Sequence, residues 1–361
     1  MARIIYGIQS DGLGHYSRSK LVIDHLLGKG HEVKVLTSGR AYEIMKDDYD
    51  INKIERISNV YKNNRVQYVN TFYRNFIKFP SLIKDGFRKV RKIFSDFKPD
   101  IVISDFEIFS AQIAQRKRVP LLLIDNIHCI SHTDVGKHVS LKFKPFEQEQ
   151  KSLLKLLSPS SKNLRQNFIT TFFDAKITRK KTALIPSLIR EEILEKRASI
   201  KKDYILVYQT SKTNKLLVPS LKSVSKENFV VYGFDKEEKD GNIVFKKTDT
   251  SNKFVNDLSH CKAIITNGGF SLMSEGVFLH KPILSNPVYG QFEQIVNATM
   301  LEKMGYGRFV EKLSANSIKY FLRKIDDFNR NLVSYSQVDN SESFAKIDSK
   351  IEEILNGDRT Q

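Results

Sequence analysis

A histidine at the end of a glycine-rich turn is the first residue in the chain that could act as a base. The apolar segment ARIIYGI reads as a strand and is followed by Asp11-Gly12-Leu13-Gly14-His15. Two glycines allow a tight turn and close approach of a ligand to the backbone. A neutral imidazole can accept a proton from a hydroxyl near pH 7. The third glycine of a dinucleotide fingerprint is missing, so His15 could equally be a helix cap or a surface residue.

An aspartate at the end of another strand could serve this histidine. Asp105 ends the segment PDIVISD, and the carboxyl ends of parallel strands meet at one edge of a sheet. A carboxylate bonded to one imidazole nitrogen fixes the tautomer and stabilises the imidazolium. Asp105 could instead cap the next helix, and Glu107 could take its place beside the histidine. His128 and His132 follow the next strand on the same edge and could line the acceptor site. Glu107 and His128 are taken as the candidates for the acceptor side.

A second glycine-rich turn, in the second half of the chain, is suited to a diphosphate. The strand AIIT ends at Asn267-Gly268-Gly269, and a helix carrying Ser271 and Glu275 follows. The first N–H groups of a helix have no internal partner and the helix dipole is positive there. Residues four apart share one helix face, so Glu275 could accept hydrogen bonds from ribose hydroxyls.

Two further polar pairs follow strands in this half. Thr210 and Ser211 come after the strand YILVY and add hydroxyl donors at the same edge. Glu293 and Gln294 come after the strand KPILSNP, at the start of a helix. They could bind sugar hydroxyls, or they could be the solvated first turn of that helix.

These residues need two sheets to position them. Short apolar runs alternate with helical patterns in both halves, as for Ser17–Lys29, a helix that Gly30 ends. Continuous apolar runs such as PDIVISD and VPLLLID suit parallel strands that are covered on both faces. The alternation therefore predicts an α/β fold of two Rossmann-like, doubly wound domains facing across a cleft.

The alternation stops and restarts once along the chain. Residues 1–186 are expected to form an N-terminal Rossmann-like domain with the acceptor-side candidates, and residues 203–340 a C-terminal Rossmann-like domain with the candidates for binding a diphosphate and a sugar. The charged segment 187–202 reads as a helical linker, and residues 341–361 as a C-terminal helix with apolar residues at helical spacing.

Composition narrows the possible partners. The 361 residues carry a net charge of +18, which favours an anionic partner or is simply a solvated basic surface.

The two cysteines indicate neither a disulfide framework nor a zinc site. No apolar run approaches the ~20 residues that span a bilayer, and the N-terminus does not resemble a signal peptide. The expected location is the cytoplasm, with peripheral attachment to the inner face of the membrane as a further possibility.

Aromatic and basic residues are interleaved in residues 71–98. Such a segment could lie on an anionic membrane as an amphipathic helix, or stack on single-stranded nucleic acid. The third interpretation is a pair of core-packed helices with a basic outer face. The short acidic triplet Asp48-Tyr49-Asp50 mimics a metal motif but lies in a charged stretch, and it reads as a surface run.

The segment TNGGFSLMSEGVFLHKPILSNPVYGQFEQIVNA resembles the nucleotide-sugar region of UDP-glycosyltransferases and of the lipid-linked N-acetylglucosaminyltransferase of peptidoglycan synthesis. The resemblance extends in order through DGLGH, PDIVISD and YQTS. It implies a GT-B fold, an inverting mechanism, and no metal or other cofactor. It assigns the base and its acidic partner to His15 and Asp105. It assigns nucleotide or diphosphate contacts to Gly14, Thr210, Ser211, Phe245, Asn267, Gly268, Gly269, Ser271 and Glu275, and the donor sugar to Glu293 and Gln294.

Two positions depart from the family pattern. Many plant-type members have a histidine where Asn267 stands, and asparagine can donate a hydrogen bond but carries no charge. Retaining relatives have a glutamate there, so its absence favours inversion. Glu293 replaces an aspartate or glutamine, which leaves the identity of the sugar open.

The expected function is sugar transfer from a nucleoside-diphosphate donor, with UDP-sugar preferred, to an acceptor hydroxyl on a lipid-linked or cell-surface glycan. A nucleotide-sugar 2-epimerase is the alternative enzyme, but it should bring more acidic and basic residues onto the sugar. A basic nucleic-acid-binding protein is the third reading. It rests on charge alone, without zinc spacing or a recognition motif, so no nucleic acid is expected as a partner.

Overall fold

A computed structural model describes residues 1–10, 13–55, 61–62, 65–66, 80–158, 162–197, 202–209, 214–247 and 252–357. Thr210 and Ser211, and residues 71–79 of the basic aromatic stretch, lie outside the described residues.

The first sheet has seven parallel strands in the order β3-β2-β1-β6-β7-β8-β9. They are β1 Arg3–Ile8, β2 Glu32–Thr37, β3 Ile51–Lys53, β6 Ile101–Asp105, β7 Leu121–Asp125, β8 Leu164–Thr171 and β9 Thr182–Pro186. A separate antiparallel pair comprises β4 Tyr61–Lys62 and β5 Arg65–Val66. Every residue of β6 and β7 is buried, as expected for parallel strands covered on both faces.

Among the described residues, six α-helices lie between the strands of this sheet or directly after them in the chain. They are α1 Leu13–Gly28, α2 Gly39–Met45, α3 Pro80–Phe97, α4 Ile108–Lys117, α5 Cys129–His132 and α6 Lys144–Leu157. Helix α1 begins before the predicted Ser17, so His15 is inside its first turn rather than ahead of it. Gly30, with φ of 78°, follows its end as predicted.

The second sheet has the order β12-β13-β11-β10-β14-β15-β16 and is parallel except for β12 with β13. Its strands are β10 Ile205–Tyr208, β11 Phe229–Tyr232, β12 Glu238–Asp240, β13 Ile243–Phe245, β14 Ala263–Thr266, β15 Ile283–Ser285 and β16 Gly307–Phe309. The remaining helices are α7 Glu191–Leu194, α8 Leu217–Lys222, α9 Lys253–His260, α10 Phe270–Phe278, α11 Phe292–Lys303, α12 Ala315–Arg323, α13 Ile325–Leu332 and α14 Ser341–Gly357.

The prediction of two doubly wound α/β units is therefore confirmed. The first sheet ends at Pro186 and the second begins at Ile205, on either side of the predicted linker. Within that linker the described helix is the single turn α7, shorter than the sequence pattern suggested.

The chain crosses between the two units twice: the first crossing lies between β9 and β10, and the second between α13 and α14. After the second sheet, α14 returns to the first, where Ile347, Ile351 and Ile354 are buried in its core. The ring of His25 stacks on Phe344 of α14 with centroids 4.1 Å apart. The two crossings also bind each other, because the Asn340 side chain accepts from the N–H of Ile189 at 2.8 Å and donates to its carbonyl at 2.7 Å.

Helix α3 forms most of the described part of the basic aromatic stretch, residues 80–98. Phe94 and Phe97 are buried in the core, and Phe87 packs edge-on against Phe109 with ring centroids 5.1 Å apart. The exposed face is basic and carries Lys84, Arg88, Lys89, Arg91 and Lys92. Of the three interpretations, the core-packed helix with a basic outer face describes this part of the chain, and its aromatic rings are not available to a membrane or to bases.

Candidate active site

His15 and Asp105 come together at the carboxyl edge of the first sheet. The ends of β1 and β6 are paired, with Ile8 opposite Asp105, and α1 begins just beyond β1. His15 Nδ1 lies 2.7 Å from Asp105 Oδ1. The aspartate has no exposed surface, whereas the His15 side chain is 23% exposed. The imidazole thus has one edge on a buried carboxylate while part of the ring remains accessible.

Two further residues of α1 bind the same carboxylate, and sequence reasoning missed them. Arg18 donates to Asp105 Oδ2 at 2.9 Å and to Oδ1 at 2.6 Å, and the Ser19 hydroxyl donates to Oδ2 at 3.0 Å. Both residues lie on the helix face of His15, three and four positions further along. This spacing could have identified both residues from the sequence. Four side chains therefore form one network, three of them from a single helix.

The network fixes the protonation of its members. Burial alone would raise the pKa of Asp105, but Arg18 and His15 outweigh it and hold that pKa below its usual range. Burial would lower the pKa of His15, and the neighbouring Asp105 more than reverses this, so the pKa is raised. The ionised Asp105 can only accept a hydrogen bond, so His15 Nδ1 carries the proton and donates to it, although Arg18 Nη2 also lies 3.2 Å from that nitrogen. Nε2 keeps its lone pair. The geometry thus leaves a proton-accepting nitrogen with increased basicity.

The turn carrying His15 touches the glycine-rich turn of the second domain. The Ser271 hydroxyl, in the first turn of α10, donates to the Gly14 carbonyl at 3.3 Å. A Cβ on Gly14 would lie 2.8 Å from that hydroxyl oxygen. Gly14 was expected to let a ligand approach, and here it lets the second domain approach. The first turns of α1 and α10 consequently meet, one with the candidate base and the other with the predicted diphosphate contacts.

Gly268 has little space for any side chain. Its φ is 95°, a conformation that favours glycine, and a Cβ would lie 3.0 Å from both the Ser285 hydroxyl and the Gln294 carbonyl. The neighbouring Asn267 is buried and donates to the Gln209 side chain at 2.8 Å and to the Asn286 carbonyl at 3.1 Å. The glycine is therefore required by the turn itself.

Two buried groups at this edge that can donate a hydrogen bond have no partner within the described ranges. They are Nε2 of Gln209 and the hydroxyl oxygen of Ser285, at the carboxyl ends of β10 and β15. Buried polar groups without partners are uncommon in folded proteins. Both can donate a hydrogen bond, which suits an anion at the adjacent N-terminus of α10.

Glu275 already has a strong partner. Arg190, in the first crossing, donates to it twice, from Nε to Oε1 at 2.6 Å and from Nη2 to Oε2 at 2.8 Å. The glutamate is 5% exposed. This pair could not be predicted from the sequence, because the two residues are 85 positions apart.

Glu293 and Gln294 occupy the first turn of α11. The Gln294 side-chain oxygen accepts from the N–H of Val288 at 2.9 Å, which ties it to the preceding loop. Burial raises the pKa of Glu293, and His15 acts in the opposite direction. The carboxyl group of Glu293 is therefore within electrostatic range of the candidate base, although the two residues belong to different domains.

Phe245 is a core residue and Glu107 caps a helix, and neither role was predicted from the sequence. Phe245 is a core residue that is 2% exposed and packs against Phe234, so its side chain cannot lie against a nucleotide base. Glu107 caps α4, accepting from the N–H groups of Phe109 and Ser110 at 2.8 and 2.7 Å. Glutamate is not a preferred N-cap, which is why this role was missed.

His128 is also committed to its own domain. It is 2% exposed, with Nδ1 2.7 Å from Asp125 and Nε2 2.8 Å from the Ser158 hydroxyl. Both ring nitrogens of His128 are thus engaged within the first domain, and the Glu107 carboxylate caps α4; the assignment of these two residues to the acceptor side stays a prediction.

In the part of the chain that the structure describes, no three His, Cys, Asp or Glu side chains are grouped to hold a metal ion. Within the acidic triplet, Asp50 pairs with Lys34 at 2.5 Å and Tyr49 donates to Asp24 at 2.5 Å. None of the described helices combines the length and the apolar character that crossing a bilayer requires.

Two facing Rossmann-like domains with these turns at their contact are those of a GT-B glycosyltransferase. The solved structure of spinosyn rhamnosyltransferase SpnG superposes with a TM-score of 0.67 at 11% identity, covering 98% of this chain and 100% of that one. The calicheamicin glycosyltransferase CalG4 gives a TM-score of 0.64 at 13% identity, covering 98% of each chain. SpnG complexed with thymidine diphosphate gives 0.64 at 11% identity, with coverage of 97% and 99%.

Residues 2–326 match the model of Glycosyl transferase family 1, and the chain belongs to this family. An uncharacterized glycosyltransferase of Methanosarcina acetivorans is 26% identical over 333 residues, and one of Methanosarcina mazei 24% over 331 residues. Each alignment covers 85% of both chains. The predicted resemblance to GT-B glycosyltransferases is confirmed, and the chain is a glycosyltransferase.

Proposed function

We propose that the chain transfers a sugar from a nucleoside-diphosphate donor to an acceptor hydroxyl with inversion, using His15 as the general base. The observation that carries this proposal is the His15–Asp105 pair, on a turn whose Gly14 contacts Ser271 at the start of α10. A base and a helix N-terminus meet there from opposite domains. This arrangement suits an acceptor activated on one side of the sugar and a diphosphate leaving on the other.

The chemical step balances with these groups alone. The acceptor oxygen forms a bond to the anomeric carbon while the bond from that carbon to the diphosphate oxygen breaks. Nε2 of His15 takes the acceptor proton, and the nucleoside diphosphate leaves with the electron pair. Asp105, held ionised by Arg18, stabilises the imidazolium that results. Attack opposite to the leaving group inverts the anomeric configuration.

The leaving diphosphate would be held at the N-terminus of α10. The unpaired N–H groups of the first helical turn and the buried donors of Gln209 and Ser285 favour negative charge there. The complex of SpnG with thymidine diphosphate supports a nucleoside diphosphate as the leaving group. We assign UDP as the nucleoside diphosphate from the resemblance to UDP-glycosyltransferases, and propose that transfer needs no divalent cation.

We propose a lipid-linked or cell-surface glycan as the acceptor, reached at an anionic membrane. The basic face of α3 and the net charge of +18 support this, because each basic residue near an anionic surface contributes about 1 kcal/mol. Cosedimentation with vesicles, with and without phosphatidylglycerol, tests it. Binding that is independent of the anionic lipid would contradict the proposal.

Calorimetry against nucleoside diphosphates and their sugar derivatives tests the donor. Binding of UDP and a UDP-sugar, with release of UDP that depends on an acceptor, is the expected result. NMR of the product reports the anomeric configuration and would detect a 2-epimer of the donor. Retention of configuration, or epimerisation without transfer, would refute the mechanism.

A further inference from the structure

Arg190 and Glu275 form an ion pair that the transfer mechanism does not use. Two parallel hydrogen bonds of 2.6 and 2.8 Å join the guanidinium to both oxygens of the carboxylate. Glu275 is buried and the Arg190 side chain is 28% exposed. Paired geometry of this kind is stronger and more directional than a single contact, so the orientation of the carboxylate is fixed by the arginine.

The backbone that carries Arg190 is itself fixed. Asn340 binds the N–H and the carbonyl of Ile189 next to it. Three residues before Arg190, the Ser187 hydroxyl donates to the Ser274 hydroxyl at 3.0 Å, beside Glu275 on α10. The guanidinium is therefore presented from a segment attached to both the second crossing and the helix that it serves.

The carboxylate of the pair keeps the capacity to accept further hydrogen bonds. An ionised carboxylate offers about four acceptor sites, and Arg190 takes two of them, one on each oxygen. Ser271 lies one turn before Glu275 on the same face of α10, at the predicted diphosphate site. Two neighbouring hydroxyls of a sugar could each donate to one oxygen without displacing the arginine.

Displacement of Arg190 by a ligand is the less favourable alternative. A neutral hydroxyl cannot replace a cation beside a buried carboxylate, and an ion pair broken in this way leaves an uncompensated charge. A ligand that adds to the pair avoids that cost. Arg190 is thus expected to help the ligand bind rather than to compete with it.

We propose that Arg190 is a positioning residue that holds Glu275 for the 2′- and 3′-hydroxyls of the donor ribose, so that the pair selects ribonucleotides over 2′-deoxyribonucleotides. This inference rests on the proposed nucleoside-diphosphate donor. A site built to accept a hydroxyl loses affinity for an analogue that lacks it, because its buried acceptor then stays unpaired.

Calorimetry with matched pairs of nucleoside and 2′-deoxynucleoside diphosphates, over all four bases, tests the inference. The unmodified protein should bind the ribonucleotide at least about tenfold more tightly. Arg190→Ala should weaken the ribonucleotide and bring the ratio close to one, while the deoxyribonucleotide changes little. Arg190→Lys retains the charge but not the two-point geometry, and it should give a smaller ratio than the unmodified protein. Arg323→Ala, an exposed arginine of α12, is the matched control and should leave the ratio unchanged.

The outcomes separate this inference from the proposed function. If no diphosphate binds, both proposals are wrong. If the unmodified protein discriminates and Arg190→Ala keeps the same ratio, only the role of Arg190 is wrong. Tighter ribonucleotide binding by Arg190→Ala would identify the arginine as a competitor and overturn the inference. Thermal unfolding checks each variant, and where Arg190→Ala does not fold, the ratio for Arg190→Lys decides.

Discussion

Replacing His15 by alanine tests the base without disturbing its surroundings. The change removes one hydrogen bond to Asp105, but that carboxylate keeps Arg18 and Ser19 as partners. We expect the loss of folding stability to stay within the ~1.5–3 kcal/mol of a hydrogen bond to a charged group, because the imidazole is partly exposed. The proposed donor site is on the other domain, so we expect the affinity for UDP to change little.

The effect on turnover should be much larger. A positioned general base contributes about 10²–10⁴-fold, equivalent to about 2.7–5.4 kcal/mol of transition-state stabilisation. We therefore expect kcat of His15→Ala to fall by that factor while the Kd of UDP is nearly unchanged. Stopped assays of UDP release, calorimetry and thermal unfolding measure the three quantities.

A matched control separates loss of the base from loss of any histidine. His138 is exposed, and among the described residues its hydrogen-bonding contact is with Lys303. His138→Ala should leave kcat near normal. A His15→Ala protein that also turns over at a near-normal rate would remove His15 from the mechanism, whatever its position beside Asp105.

Four more outcomes are expected. Asp105→Asn should lose both turnover and about 3–5 kcal/mol of unfolding free energy, because Arg18 is left buried without its counter-charge; a variant as stable as the unmodified protein by denaturant titration would contradict this. The pKa of His15 is raised, so kcat/KM should fall as pH drops below that pKa, with the midpoint of this acid limb above the ordinary histidine value of ~6.5. The contribution of the His15–Asp105 pair to folding stability is present below the pKa of the unfolded state and is lost as pH rises through the pKa of the folded state. A kcat/KM that does not change with pH below about 8 would refute the assignment of His15 as the base. Glu293→Ala and Gln294→Ala should weaken the UDP-sugar and spare UDP in calorimetry, and equal losses for both ligands would break the assignment. Removal of divalent cations with a chelator should leave turnover unchanged, and recovery on adding Mg²⁺ or Mn²⁺ after a loss would show a metal requirement.

The parallel sheets and the His15–Asp105 contact could be predicted from the sequence. Continuous apolar runs such as PDIVISD have few alternatives to a buried parallel strand, and such strands bring their carboxyl ends to one edge. The first loop and Asp105 had to meet there. Local pattern and one topological rule were sufficient for that part of the site.

Contacts that depend on the packing of segments distant in the chain could not be predicted from the sequence. Arg190 meets Glu275 only because the first crossing lies along α10, and nothing in the local pattern of either segment specifies this. Phe245 was placed by resemblance, but a phenylalanine ending a short strand is as readily a core residue. The capping role of Glu107 was not predicted, because glutamate is an uncommon N-cap and reads in a sequence as a free carboxylate.

The return of α14 to the first domain has a consequence for how the chain matures on the ribosome. Ile347, Ile351 and Ile354 complete a core whose strands are translated before the whole second domain. At ~5–20 residues per second, the nascent first domain waits on the order of ten seconds with an apolar groove uncovered. The groove closes only when the last helix emerges, so the first domain reaches its final stability after the second has been made.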